Sequence, residues 1–115
     1  MMKLSGIMLF CENIIEQTVF YRDVLGLIPD SPQPFAANRF YRFYAGEGLD
    51  LCLHSGTKPN GGRQKLMFQV DSVLTLYETL RQAGKRVRKP THESGIMVYD
   101  FRDPEGNRIQ VYGLY

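Results

Sequence analysis

Cysteine and histidine are both scarce in this chain, two of each among 115 residues. Cys11 and Cys52 are too few for a disulfide framework, and neither stands in a Cys-x-x-Cys or zinc-ribbon spacing, so both read as reduced, partly buried thiols. Any histidine-based metal site has only His54 and His92 to draw on. Charge of one sign is also lacking. The formal net charge is +2, and the basic residues form no stripe interleaved with exposed aromatics, which argues against a nucleic-acid partner. The one basic run, Arg81 through Lys89, reads as the polar end of a helix passing into an exposed strand. Long hydrophobic runs are absent as well. The apolar stretch over residues 1–11 is cut short by Glu12 and Asn13, and no small-residue cleavage site follows. It reads as a strand, with no membrane association, and the protein as cytoplasmic.

What remains is the composition of an ordinary globular protein, 43% hydrophobic and 23% charged. A chain of this length fits one domain, or two half-domains sharing a core, and buries about two-thirds of its surface without a metal or disulfide staple. Two helices are legible. One runs from about residue 72 to 83, capped by Asp71 or Ser72, with Val73, Leu76, Tyr77, Leu80 and Ala83 on one buried stripe and Gly84 as its stop. The other runs from 14 to 25, opened by Asn13 with Glu16 three positions on and closed by Gly26; its apolar face carries Ile15, Val19, Phe20 and Leu25.

Short β-branched, aromatic or alternating segments around the helices read as strands. They lie at roughly 4–11, 26–30, 38–45 and 49–55, then at 65–70, 85–90, 95–101 and 108–113. Each half is therefore strand, helix, three strands. The halves align without a gap at an offset of 58 residues, which pairs Asn13 with Asp71, Gly26 with Gly84, Gly48 with Gly106, Leu51 with Ile109 and Leu53 with Val111. One offset shared by a helix cap, a helix stop, a hairpin glycine and a strand pattern indicates internal duplication. The expected organisation is a first module over 1–55, a linker over 56–64 and a second module over 65–115, forming one compact domain. Ser31-Pro32-Gln33-Pro34 reads as a surface loop.

Two segments carry a wider resemblance. Phe20-Tyr21-Arg22-Asp23-Val24-Leu25-Gly26-Leu27 and Asp103-Pro104-Glu105-Gly106-Asn107-Arg108-Ile109-Gln110-Val111 are similar to the two best-known signatures of the vicinal oxygen chelate superfamily. That group includes glyoxalase I, bleomycin resistance proteins, fosfomycin-modifying enzymes, methylmalonyl-CoA epimerase and extradiol dioxygenases. Both segments are scaffold: the second is a tight hairpin connection, and the first packs an aromatic pair on the sheet before turning on glycine. They identify a fold and not a reaction. The resemblance implies an α+β fold of two tandem βαβββ modules whose curved mixed sheet surrounds a cavity. It also implies a homodimer, as many relatives are.

Metal-dependent relatives hold their cation with His or Glu from the first and last strands of each module. Carried over residue by residue, those positions fall here on Gly6, Cys52, Lys65 (Gln64 if the register is off by one) and Gln110. This set offers at most one good anionic ligand, and a lysine ammonium repels a divalent cation at close range. The expectation is no metal held in the family manner, and no cofactor.

Strand alternation gives a cavity face of Met8, Phe10, Cys52, His54, Lys65, Met67, Gln69, Arg108, Gln110 and Tyr112, with Tyr99 among the aromatics that the neighbouring strands add. Aromatic and Met side chains with a few polar groups suit an apolar or planar ligand. The leading expectation is a module that binds or sequesters a small, aromatic molecule. The first alternative is a lyase, isomerase or dioxygenase, with ligands displaced to Asp50, Cys52 and His54 or with Lys65 as a metal-free base; the catalytic candidates are Lys65 and His54. The second is a dimerisation domain with a vestigial cavity. His92, beside Glu93, reads as a loop residue.

Overall fold

Apolar and polar residues alternate along Asp50–Ser55 and Arg108–Gly113, and this period of two decides which side of each sheet becomes core. The computed structural model describes residues 1–56 and 60–114. The chain divides into two units, 1–60 and 61–115. Three of the expected linker positions, 57–59, lie outside the described residues.

In the first unit, β1 (Gly6–Cys11), β2 (Phe40–Tyr44) and β3 (Asp50–Ser55) form a mixed sheet in the order β1-β3-β2. β3 runs parallel to β1 and antiparallel to β2. Leu51 and Leu53 turn to the side covered by the helix and are buried with Leu9, Phe43, Phe20 and Tyr21. The helix α1 (Ile14–Val19) is opened by Asn13, whose side chain accepts from the Glu16 N–H at 3.1 Å. It continues into a π turn over Phe20–Val24.

The buried face of α1 differs from the expected one. Ile15 and Val19 are 54% and 42% exposed, while Ile14, Gln17, Thr18 and Tyr21 are buried. The π turn admits one extra residue and so brings the adjacent Phe20 and Tyr21 both into the core, edge to face at 5.3 Å. Anchored by these two rings, the helix turns the Ile14 side inward and leaves Ile15 and Val19 outside.

The second unit holds β4 (Lys65–Gln69), β5 (Thr91–Glu93), β6 (Ile96–Arg102) and β7 (Arg108–Gly113) in the order β4-β7-β6-β5. The helix α2 (Val73–Gln82) is capped by Ser72, whose hydroxyl accepts from the Thr75 N–H at 3.3 Å. It buries Val73 and Leu80 against a face that includes Met97, Tyr99, Phe101, Ile109 and Val111.

The two units repeat one another at the backbone level. Gly26 and Gly84 end the helices at φ +77° and +75°, and Gly48 and Gly106 turn the hairpins at +70° and +87°. Such angles favour glycine because any Cβ is strained there. The lone bridges Pro29–Phe43 and Val87–Phe101 also match at the same offset of 58. Of the strands expected at 26–30 and 85–90 the structure keeps these bridges and a few backbone hydrogen bonds: Asp30 N–H to the Arg42 carbonyl (2.8 Å), Tyr44 N–H to the Ile28 carbonyl (2.9 Å) and Arg88 N–H to the Asp100 carbonyl (3.1 Å). In the first unit a side chain extends the pairing: Gln33 donates to the carbonyls of Asp30 (2.7 Å) and Arg42 (3.1 Å) and accepts from the Arg42 N–H at 2.8 Å, pinning the Ser31–Pro34 loop to β2. His92, expected in a loop, pairs with Met97 within the short β5. No helix among the described residues is long and apolar enough to cross a membrane.

Candidate functional site

With one face of each sheet committed to the core, chemistry is left to the opposite, open face. On β3 that face carries Asp50, Cys52 and His54. Strand register places Gly6 and Tyr44 beside Asp50, Met8 and Arg42 beside Cys52, and Phe10 and Phe40 beside His54. Directly paired residues project to the same side.

The His54 ring stands between two aromatic neighbours, with centroids 5.6 Å from Phe10 and 6.3 Å from Phe40, the latter edge to face; Phe35 adds a fourth ring, 5.7 Å from Phe40. His54 Nδ1 is 2.7 Å from the Ser55 carbonyl. A neutral ring whose Nδ1–H donates there leaves Nε2 as its acceptor. Phe10 and Met8 remain 44% and 46% exposed, so this is an apolar surface with a polar atom set into it.

At the other end of the face, Arg42 Nε lies 3.7 Å from Asp30 and 4.0 Å from Asp50, and its Nη2 donates to the Pro32 carbonyl at 2.7 Å. Asp50 is held above the ordinary carboxylate range by desolvation, then by a hydrogen bond with Asp30 and the charge of that group; Arg42 opposes the shift. The Tyr44 phenol is raised by its hydrogen bond with Asp30. Burial, and then Asp50, push the Cys52 thiol up.

In the second unit the open face carries Lys65, Arg108 and Arg102 in one row, Met67, Gln110 and Asp100 in the next, and Gln69, Tyr112 and Val98 in the third. Lys65 Nζ is 3.3 Å from both carboxylate oxygens of Asp100.

Of the side chains expected to face a ligand, Met8, Phe10, Cys52 and His54 lie on the open face of the first sheet. Lys65, Met67, Gln69, Arg108, Gln110 and Tyr112 lie on that of the second. Tyr99 does not belong with them. It is paired with Val111 on the core side, is 2% exposed, packs 5.6 Å from Tyr77 and donates its hydroxyl to the Val73 carbonyl at 3.2 Å. An odd position on β6 faces the helix, and alternation alone did not say which parity that was.

Asp50, Cys52 and His54 share a face but do not converge: among the described residues no group of three or more His, Cys, Asp or Glu could hold a metal ion. The Asp30–Arg42–Tyr44 contacts were not foreseen, because Asp30 sits in a loop brought to β2 by the Gln33 bridge. The signal available was Asp30 at the turn, with Arg42 and Tyr44 two residues apart on a strand.

A family model for the Glyoxalase/Bleomycin resistance protein/Dioxygenase superfamily matches residues 3–111. No curated protein matches the chain at a significant level. Among solved structures, a glyoxalase/dioxygenase from Nostoc punctiforme is similar with a TM-score of 0.83 at 17% identity, over 98% of this chain and 91% of that one. TnmS3, an antibiotic binding protein from Streptomyces sp. CB03234, gives 0.81 at 19% identity over 100% and 98%. Lactoylglutathione lyase from Agrobacterium tumefaciens gives 0.73 at 19% identity over 96% and 92%.

Proposed function

The chain belongs to the glyoxalase/bleomycin resistance protein/dioxygenase superfamily, and from that premise we propose that it binds a small, aromatic molecule on its open sheet faces without the divalent cation that metal-dependent members use. The observation that carries this reading is the His54 ring set between Phe10 and Phe40 with Phe10 and Met8 left exposed. Exposed rings and thioethers around a few fixed polar atoms suit a planar apolar ligand. That an antibiotic binding protein has the same fold supports the reading by analogy only.

The donor set argues against a resident metal in the family manner. Gly6 offers no side chain, and a Cβ added there would meet the Asp50 carbonyl oxygen at 3.2 Å. The Cys52 thiol is pushed toward its neutral form, although a metal ligand must be the thiolate. Lys65 brings a cation, and Gln110 only a neutral amide. No step through a metal follows from these residues. Relatives also motivate a homodimer and a cytoplasmic location, which light scattering and fractionation check.

Titration with a panel of planar aromatic compounds tests the proposal. A saturable rise in melting temperature is expected, growing as RT ln(1 + [L]/Kd), and lost in Phe10→Ala, an exposed site whose unliganded melting stays near that of the parent. No shift with any compound, or an equal shift in the variant, overturns it. A stoichiometric divalent ion in protein purified without a polyhistidine tag overturns the metal-free part.

One observation favours a second reading, an enzyme using acid–base chemistry: Asp30 and Asp50 converge on Arg42 Nε at 3.7 and 4.0 Å, and desolvation there raises the Asp50 carboxyl. Turnover of any bound compound that disappears in Asp50→Asn while binding persists would establish it. Lys65 does not serve this reading, since its ammonium is paired with Asp100 and partly open to water.

A further inference from the structure

The second unit contains a cavity of about 480 Å³ whose charged lining is six cations, Lys65, Lys85, Arg86, Arg88, Arg102 and Arg108, around one carboxylate, Asp100. The six come from four separate segments. Register puts Lys65 opposite Arg108 and Arg108 opposite Arg102. With Val87 bridged to Phe101 on the core side, alternation turns Arg86 and Arg88 to the open face, extending this basic surface across a fourth segment.

Like charges directly opposite one another destabilise a sheet, and the protein partners do little to relieve them. Asp100 neutralises Lys65. Arg102 and Arg108 each donate one N–H to a backbone carbonyl, of Gly106 at 2.8 Å and of Arg63 at 2.9 Å, which leaves most of each guanidinium's five donors free. Arg86 and Arg88 have no side-chain hydrogen bond or ion pair among the described residues. The chain's overall charge of +2 hides this local excess.

We infer that this cavity binds the phosphoryl or diphosphate group of a small molecule. Its volume falls in the range of roughly 300–1,000 Å³ usual for small-ligand sites, and forked guanidinium donors match phosphate oxygens in geometry as well as charge. A nucleic-acid backbone is the weaker fit, because the cations line a concavity and not a stripe with interleaved aromatics. The inference rests on second-unit arginines, whereas the aromatic-ligand reading is carried by Phe10, Phe40 and His54 of the first, so variants at Arg86 and Arg88 and at Phe10 tell the two apart.

Calorimetric titration of the full chain with inorganic phosphate, pyrophosphate and phenyl phosphate tests it, with sulfate and a single-stranded oligonucleotide as further arms. Pyrophosphate is expected to bind saturably, to raise the melting temperature, and to weaken as sodium chloride screens the site. The double variant Arg86→Gln/Arg88→Gln, both at exposed positions, should lose at least about tenfold in pyrophosphate affinity and keep any aromatic-compound binding that Phe10→Ala removes. Absence of pyrophosphate binding, equal affinity in the double variant, sulfate binding as tight as pyrophosphate, or tighter binding of the oligonucleotide would each overturn the inference.

Discussion

The carboxylates of Asp30 and Asp50 converge on one guanidinium, with Arg42 Nε 3.7 Å from the first and 4.0 Å from the second. Desolvation at Asp50, and then the neighbouring Asp30, favour the protonated form of Asp50, while Arg42 opposes it. Because the folded-state pKa of Asp50 lies above its ordinary value of 3.8, its contribution to stability is fully present below that value. It is lost as pH rises through the raised one. Urea unfolding of the parent and of Asp50→Asn across the acid range should show the variant gaining relative stability as pH increases. A parallel pair of curves refutes the raised Asp50 carboxyl.

The cysteines should differ in reactivity although neither is in a disulfide. Cys11 is fully buried and should resist iodoacetamide until the chain unfolds. Cys52 is reachable, but its thiol is held up by burial and by Asp50, so its alkylation near neutral pH should be slower than in the denatured chain. Mass spectrometry of timed samples checks both. Fast labelling of Cys52 would contradict the assigned environment.

Asp103 should matter more than a turn residue usually does. It is 4% exposed, and its carboxylate accepts from the N–H groups of Glu105 (3.0 Å) and Asn107 (2.8 Å) and from the Asn107 side-chain amide (2.7 Å). Asp103→Ala removes all three acceptances, and a loss of about 2–3 kcal/mol is expected from the orphaned donors. Asp103→Asn should recover part of it. Denaturant midpoints measure the difference.

Tyr99→Phe tests the division of the second sheet into two faces. Loss of the hydroxyl's bond to Val73 should cost about 1 kcal/mol, and binding of aromatic compounds or of pyrophosphate should not change. Altered affinity at unchanged stability would move Tyr99 back to the ligand face.

Much of the fold was legible because its signals are local. Asn13 and Ser72 cap the helices they precede, Gly26 and Gly84 end them, and the constant offset between the halves predicted matching hairpins. The open-face residues followed from alternation along β3 and β7. What escaped was tertiary. The π turn at Phe20–Val24 rotated the inner face of α1 away from the Ile15–Val19 spacing, and the parity of β6 depended on which side α2 covers. The basic cavity was hidden for a similar reason. Arg86 and Arg88 read as an exposed run, and only the Val87–Phe101 bridge and the strand order set them beside Arg102, Arg108 and Lys65.

The separation of each sheet into a helix-covered side and an open side has an evolutionary consequence. Leu51, Leu53, Ile109 and Val111 keep the chain folded from one side, so the side chains between them are at liberty to drift. Side chains on the open face can be exchanged for others that meet a different ligand while the scaffold goes on folding unchanged.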